Sequence, residues 1–283
     1  MDTVESALRS ATRRLAPVSP TPGLDAQVLL AHVLGVSRAR LLSDSQRTLT
    51  AAQQAAYQAL IARRAALEPV AYLIGRKEFF GRDFSVDRRV LIPRPETELI
   101  VELALQHARR CGLPARVADI GTGSGCLAIT LALEFPQARV FAVDCSEAAL
   151  EVARLNAERH GVAGRVTFLL GDALAPLPQP VDLIVANPPY TVLAEVEEGV
   201  RRWEPHLALD GGAQQGFAEP ARWLAQAPSR LCPGGLLLME IAAWQGAQAL
   251  AAARAAFPTA ETRLYQDLAG HDRVLLVRAA APT

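Results

Sequence analysis

The sequence predicts an α/β fold: a doubly wound, mostly parallel sheet that closes in an antiparallel hairpin and follows a small helical domain. Three observations carry this expectation. From residue 115 onward, short apolar runs alternate with stretches of helical length, and the first five runs are continuous, as strands buried on both faces require. The last two runs, 261–267 and 273–278, are separated only by Leu268–Asp272. That is too short for a parallel crossover, which takes about a dozen residues, so those two strands pair antiparallel. Ahead of Glu68-Pro69 the apolar spacing is helical.

The elements follow in order. Val4, Leu8, Ala11 and Leu15 share one helical face, and Leu24, Val28, Ala31 and Val33 continue the pattern up to Gly35, a C-terminal cap. Thr50 caps a further helix that carries Tyr57, Leu60, Ile61 and Leu67 inward and ends at Glu68-Pro69. Phe79-Phe80 and the alternating Phe84 and Val86 form two short strands around Gly81. The helix that follows opens at Pro93-Arg94-Pro95-Glu96, where proline and acid suit a first turn, and runs to about Arg110. Strands are expected at 116–120, 139–144, 166–170, 181–186, 235–241, 261–267 and 273–278, with helices near 125–134, 147–160, 217–231 and 243–256. The domain expectation is a helical domain over 1–75, a hairpin linker over 76–92 and an α/β domain over 93–283.

Composition narrows the function classes. A chain of 283 residues, 51% hydrophobic and 20% charged, is that of a globular enzyme. It holds no run of about 18 apolar residues, and Met1–Glu5 lacks the basic and apolar regions of a leader, so a cytoplasmic protein is expected. The formal net charge is zero, with Lys77 the only lysine. A dedicated nucleic-acid surface normally leaves a basic excess, so direct nucleic-acid binding is not expected. Cys111, Cys126, Cys145 and Cys232 stand far apart and the histidines are scattered, which supports neither a disulfide framework nor a metal site.

Two motifs carry chemistry. Asp119-Ile-Gly121-Thr122-Gly123-Ser124-Gly125 lies between the first strand and the first helix of the α/β domain. Glycines there permit a tight turn and close approach of a ligand to the helix N-terminus. The spacing lacks the Gly-x-x-Gly of a pyrophosphate fingerprint, and Asp119 would repel a pyrophosphate yet accept from an ammonium. S-adenosylmethionine has an ammonium and no phosphate. Asp144 ends the second strand, where a carboxylate meets ribose hydroxyls in doubly wound folds; its plain alternative is a helix cap. Asp172 and Ala173, after the third strand, fall where an adenine edge would lie, and an ordinary turn explains them equally well.

Asn187-Pro188-Pro189-Tyr190 ends the fourth strand. An amide nitrogen is a poor nucleophile because its lone pair is delocalised. The Asn187 side-chain oxygen and the Pro188 carbonyl are suited to accept both N–H bonds of one substrate NH₂, aligning it and offsetting the charge that develops on it. Prolines fix φ and lack competing N–H donors. Tyr190 offers a face for a planar group. These residues leave three substrates open: a protein glutamine, an adenine in DNA or a guanine in RNA. A base-modifying enzyme must extract its base and usually carries a basic reading module, so the small helical domain favours a protein.

The chain resembles the release-factor glutamine methyltransferases over nearly its whole length. The resemblance rests on Pro69–Gly75 with Lys77–Gly81, Leu91-Ile-Pro-Arg-Pro-Glu-Thr-Glu98, Asp119–Ile129, Asn187–Tyr190, Glu204-Pro205 and Asp267–Gly270. It implies a class I methyltransferase fold and transfer of a methyl group from S-adenosylmethionine to N5 of the glutamine in the Gly-Gly-Gln tip of class 1 peptide chain release factors. It further implies that Gly121–Gly125, Asp144 and Asn187 bind cofactor, that Asn187–Tyr190 holds the glutamine, and that the N-terminal helices help dock the release factor. Some relatives carry an aromatic residue where Ala173 stands, available to pack on adenine, and this chain lacks it. Phe79, Phe80 and the Arg94 segment are candidates for lining the site, and a hairpin core and a helix start explain them equally well.

Overall fold

The computed structural model describes residues 3–281; Met1 and Asp2, part of the N-terminal stretch discussed above, lie outside the described residues, as do the last two. Two compact units emerge: the described residues up to Arg76 together with Glu197–Trp203, and Lys77–Val196 together with the chain from Glu204 onward.

The first unit is helical. α1 (Val4–Leu15) buries Val4, Ala7, Ala11 and Leu15, and its Thr3 side chain caps the Ser6 N–H. α2 (Pro22–Leu34) ends at Gly35, whose φ is 64°. Its buried face is Ala26, Leu29, Leu30 and Ala31, while Leu24 is 42% exposed, so the face expected from spacing is rotated. A helix this uniformly apolar does not reveal its inner face by period. Asp25 is also buried there, held by Arg64 Nε at 2.8 Å and by the Ser19 hydroxyl at 2.8 Å. α3 (Arg38–Ser43) is short and absent from the sequence reading. α4 (Ala51–Ala65) starts in a reciprocal capping box of Thr50 and Gln53. It buries Tyr57, whose hydroxyl donates to the Ala26 carbonyl at 3.0 Å, and Ile61. Leu67, expected on that face, lies beyond the helix at φ 69°. α5 (Val70–Ile74) completes the N-terminal run.

In the second unit, β1 (Arg76–Phe79) and β2 (Arg82–Ser85) form a hairpin whose turn residues Phe80 and Gly81 both take positive φ, 50° and 72°. The hairpin is more than a bridge, because Phe79 and Phe84 are buried in this unit's core. α6 (Glu98–Cys111) follows a single 3₁₀ turn at Pro95–Thr97. The main sheet comprises β3 (Arg116–Ile120), β4 (Arg139–Asp144), β5 (Val166–Leu170), β6 (Val181–Ala186), β7 (Leu231–Glu240), β8 (Glu261–Gln266) and β9 (Asp272–Arg278). Their spatial order is β5-β4-β3-β6-β7-β9-β8. The first five run parallel, and β9 pairs antiparallel with both β7 and β8, as the short Leu268–Asp272 connection requires.

Helices cover both faces. α6, α7 (Cys126–Glu134) and α8 (Glu147–Arg159) share one core with the hairpin and with Val117, Leu183 and Val185. After α9 (Glu198–Trp203), which belongs to the first unit, α10 (Ala218–Gln226) and α11 (Gly246–Ala256) pack the other face over Ala118, Ile184 and Leu237. The alternation of neighbouring strand residues between these two cores is what makes the runs continuously apolar. Every parallel strand therefore ends at one edge, and the loops there carry the motifs.

Candidate active site

A cavity of about 640 Å³, within the range of small-molecule sites, opens at that edge. Of the positions expected from sequence, Asp119, Gly121, Thr122, Gly123, Ser124, Asp144, Asp172, Ala173, Asn187 and Pro189 line it. Gly125, Pro188 and Tyr190 do not. Pro93, Thr97, Glu219, Arg222 and Trp223 contribute further walls. Phe79 is buried and Phe80 packs against the same core, so neither lines the cavity; of the adjoining segment, Pro93 and Thr97 do.

The glycine loop is bound to its neighbours by backbone. Gly121 and Thr122 both donate to the Val143 carbonyl at 2.9 Å, which ties the loop to β4. Gly121 takes φ +72°, and a Cβ on it would lie 2.8 Å from Trp223 Cη2. Only glycine lets the indole close on the loop. Asn156 of α8, fully buried, donates to the Ser124 carbonyl at 2.8 Å and to the Ser85 carbonyl at 3.0 Å. It thus braces loop and hairpin together, a role no local motif announced.

Asp119 is 1% exposed. Its Oδ2 accepts from the Thr122 hydroxyl at 2.7 Å and the Ala128 N–H at 3.0 Å. Its Oδ1 is buried without a partner among the described residues, although the side chain borders the cavity. Burial pushes this carboxyl up to about 7, against the hydrogen bonds from Thr122 and Ala128. Asp144 accepts from the Gly123 N–H at 2.9 Å on one oxygen and the Ser146 N–H at 2.9 Å on the other. The cap of α8 is Ser146, which accepts from the Ala149 N–H, so Asp144 is not the helix cap. Burial raises Asp144 from the ordinary carboxylate range while its backbone donors lower it.

Asp172 does not stand alone at the rim. Arg222 bonds both of its oxygens, at 2.6 and 2.8 Å, and also reaches Glu219 at 2.5 Å. These contacts, led by the hydrogen bond from Arg222, hold the Asp172 carboxyl below its usual value. Ala173 behind it is buried.

Asn187 leaves β6 with its Nδ2 donating to Thr97 Oγ1 at 3.1 Å. Thr97 donates in turn to Glu240 Oε2 at 2.6 Å, and the Tyr190 hydroxyl donates to Glu240 Oε1 at 2.7 Å. Tyr190 therefore turns its hydroxyl inward and braces the loop. Its carbonyl accepts from Gln245 Nε2 at 3.1 Å, and Pro188 beside it is buried. Glu240, at the end of β7, is fully buried, and burial raises it above the usual glutamate value. The segment 91–98 is anchored by Glu204, which accepts from the Ile92 N–H at 3.0 Å and from Arg94 Nη2 at 2.6 Å. Glu240 was the one omission with a sequence signal: it is an acid closing an apolar strand at a sheet edge. Trp223 and Asn156 gave none.

Known proteins resemble this chain over most of its length. Residues 6–75 match the PrmC N-terminal domain model and residues 114–269 a methyltransferase domain model. A release factor glutamine methyltransferase of Nitratidesulfovibrio vulgaris is 41% identical, covering 98% of this chain and 95% of the relative. One from Cereibacter sphaeroides is 42% identical over 97% and 98%, and one from Chlorobaculum tepidum 46% over 78% and 78%. A solved methyltransferase of Pyrococcus furiosus superposes with a TM-score of 0.52 at 20% identity, covering 79% of this chain and 98% of that one, which is a likeness of fold. Its parallel strands, its closing antiparallel hairpin and its near full-length relatives together make this chain a member of the release factor glutamine methyltransferase family.

Proposed function

We propose that the chain transfers a methyl group from S-adenosylmethionine to N5 of the glutamine in the Gly-Gly-Gln motif of class 1 peptide chain release factors. The observation that carries this reading is the placement of Asn187. Its side-chain nitrogen is tied to Thr97, and its oxygen has no partner among the described residues where it borders the cavity.

The residues present fit the cofactor. Asp119 Oδ1, buried and unpartnered at the cavity wall, matches an ammonium group. Asp144, whose oxygens each retain a lone pair beyond their backbone bonds, matches ribose hydroxyls. When bound, S-adenosylmethionine supplies an electrophilic sulfonium methyl. The chain supplies orientation: Asn187 Oδ1 accepts an amide proton of the glutamine, turns its nitrogen toward the methyl and stabilises the positive charge that grows there. No base is needed before transfer, and the proton leaves to water afterwards.

The test is mass spectrometry of the Gly-Gly-Gln peptide of a release factor after incubation with enzyme and cofactor. One added methyl on glutamine is expected. Label appearing only in nucleic acid would sink the reading. Asn187→Ala should cost roughly 10²–10³ in turnover while cofactor binding is partly retained, in line with loss of a group that stabilises developing charge.

A further inference from the structure

The hydrogen bonds behind Asn187 run in one direction. Glu240 is fully buried at the end of β7, and its two oxygens take the hydroxyls of Thr97 at 2.6 Å and Tyr190 at 2.7 Å. A threonine hydroxyl has one proton. Given to the carboxylate, it leaves Oγ1 able to meet Asn187 only as an acceptor, and only the Nδ2 end of the amide satisfies that, at 3.1 Å. The Oδ1 end is left for the cavity. We infer that Glu240 and Thr97 are positioning residues: through one hydroxyl proton, the buried carboxylate decides which end of the Asn187 amide faces the substrate.

This rests on the reading of Asn187 as the acceptor for a substrate NH₂. If the amide turned over, its own NH₂ would oppose that of the substrate, donor against donor. A donor at position 240 permits this reversal. It gives a proton to Thr97, whose hydroxyl then points at Asn187 and draws in Oδ1 instead. Protonation of Glu240 has the same effect. Around Glu240, Arg273 of β9 favours the ionised form, whereas Glu96 in the 3₁₀ turn and burial oppose it. Cys126 of α7 and Tyr190 are further titratable neighbours. Thr97 itself is 2% exposed, so water does not replace its hydroxyl.

The experiment measures kcat and KM with a release factor substrate, together with Kd for S-adenosylhomocysteine. Thr97→Val removes the hydroxyl at nearly constant shape. It should lower kcat by about 10- to 100-fold, somewhat less than direct loss of a charge-stabilising group, with cofactor Kd within about threefold. Thr97→Ser restores the proton and should recover kcat to within about threefold of wild type. In Glu240→Gln, kcat should fall and the acid limb of its pH profile should disappear. Wild-type kcat in Thr97→Val, or a Thr97→Ser variant no better than the valine, would overturn the inference. Should Glu240→Gln fail to fold, the valine and serine pair decides alone. A wild-type enzyme that methylates no glutamine would instead overturn the function proposed above, and this role with it.

Discussion

The guanidinium of Arg222 grips both carboxylate oxygens of Asp172, at 2.6 and 2.8 Å, at the rim of the cavity. Asp172 was read as either an adenine contact or an ordinary turn residue, and its carboxylate is already paired. The partners are 38% and 64% exposed in their side chains, so screening leaves their attraction worth little. Arg222→Gln should therefore shift the Kd for S-adenosylhomocysteine by less than about threefold at physiological salt. With Asp172 as a proposed acceptor for the adenine, Asp172→Ala should weaken it by about tenfold. Calorimetric titration of both variants separates the contributions.

The burial of Asp119 predicts that cofactor binding depends on pH. Burial raises its carboxyl from 3.8 to about 7 in the folded chain. The folded state thus holds a proton that the unfolded state has released. Stability from this group is full below about 4 and is lost as pH rises through about 7. An ammonium at Oδ1 reverses the preference, because it needs the carboxylate. Affinity for S-adenosylhomocysteine should rise between pH 5.5 and about 7 and then level off, with a proton released on binding at pH 6. Asp119→Asn should abolish both effects.

Trp223 closes on Gly121 more tightly than a Cβ allows. Gly121→Ala brings two costs, the clash with the indole and a left-handed backbone worth about 1–2 kcal/mol. Melting temperature and cofactor affinity should both drop. Trp223→Phe withdraws the clashing carbon, so the double variant should recover part of the loss. A double-mutant cycle showing strict additivity would refute the contact.

Arg94 supports the buried carboxylate of Glu204 from a partly exposed position, 32% against 1% for the side chains. Arg94→Met leaves that carboxylate with the Ile92 N–H alone, at a cost of about 1–3 kcal/mol in urea unfolding. Glu204→Gln in the same background should return some of it, since an amide carries no charge to strand.

Much of this was legible in the sequence, for identifiable reasons. The inner strands of the main sheet declared themselves because both faces are buried, as at Val117 and Ala118. The Gly121–Gly125 loop, Asp144 and Asn187 could be read because strand ends in such folds gather at one edge. The inner face of α2 could not, since Leu24 and Leu29 look alike to any pattern and only packing separates them. Nor could the partnership of Thr97 with Glu240, which spans 143 residues of chain. Tyr190 was read as a flat face for a planar group; that its hydroxyl meets a buried acid could not be read.

The sheet is also finished out of order. β9, which follows β8 in the chain, lies inside the sheet between β7 and β8, and its Val274 sits opposite Glu240. While the chain is being synthesised, the strands bearing the glycine loop and Asp144 are complete long before the flank of Glu240 is covered. A nascent chain halted before Asp272 would hold the cofactor loop sequences but leave the carboxylate behind Asn187 at an open edge. Truncation before Asp272 should therefore abolish methyl transfer even though the glycine loop and Asp144 are present.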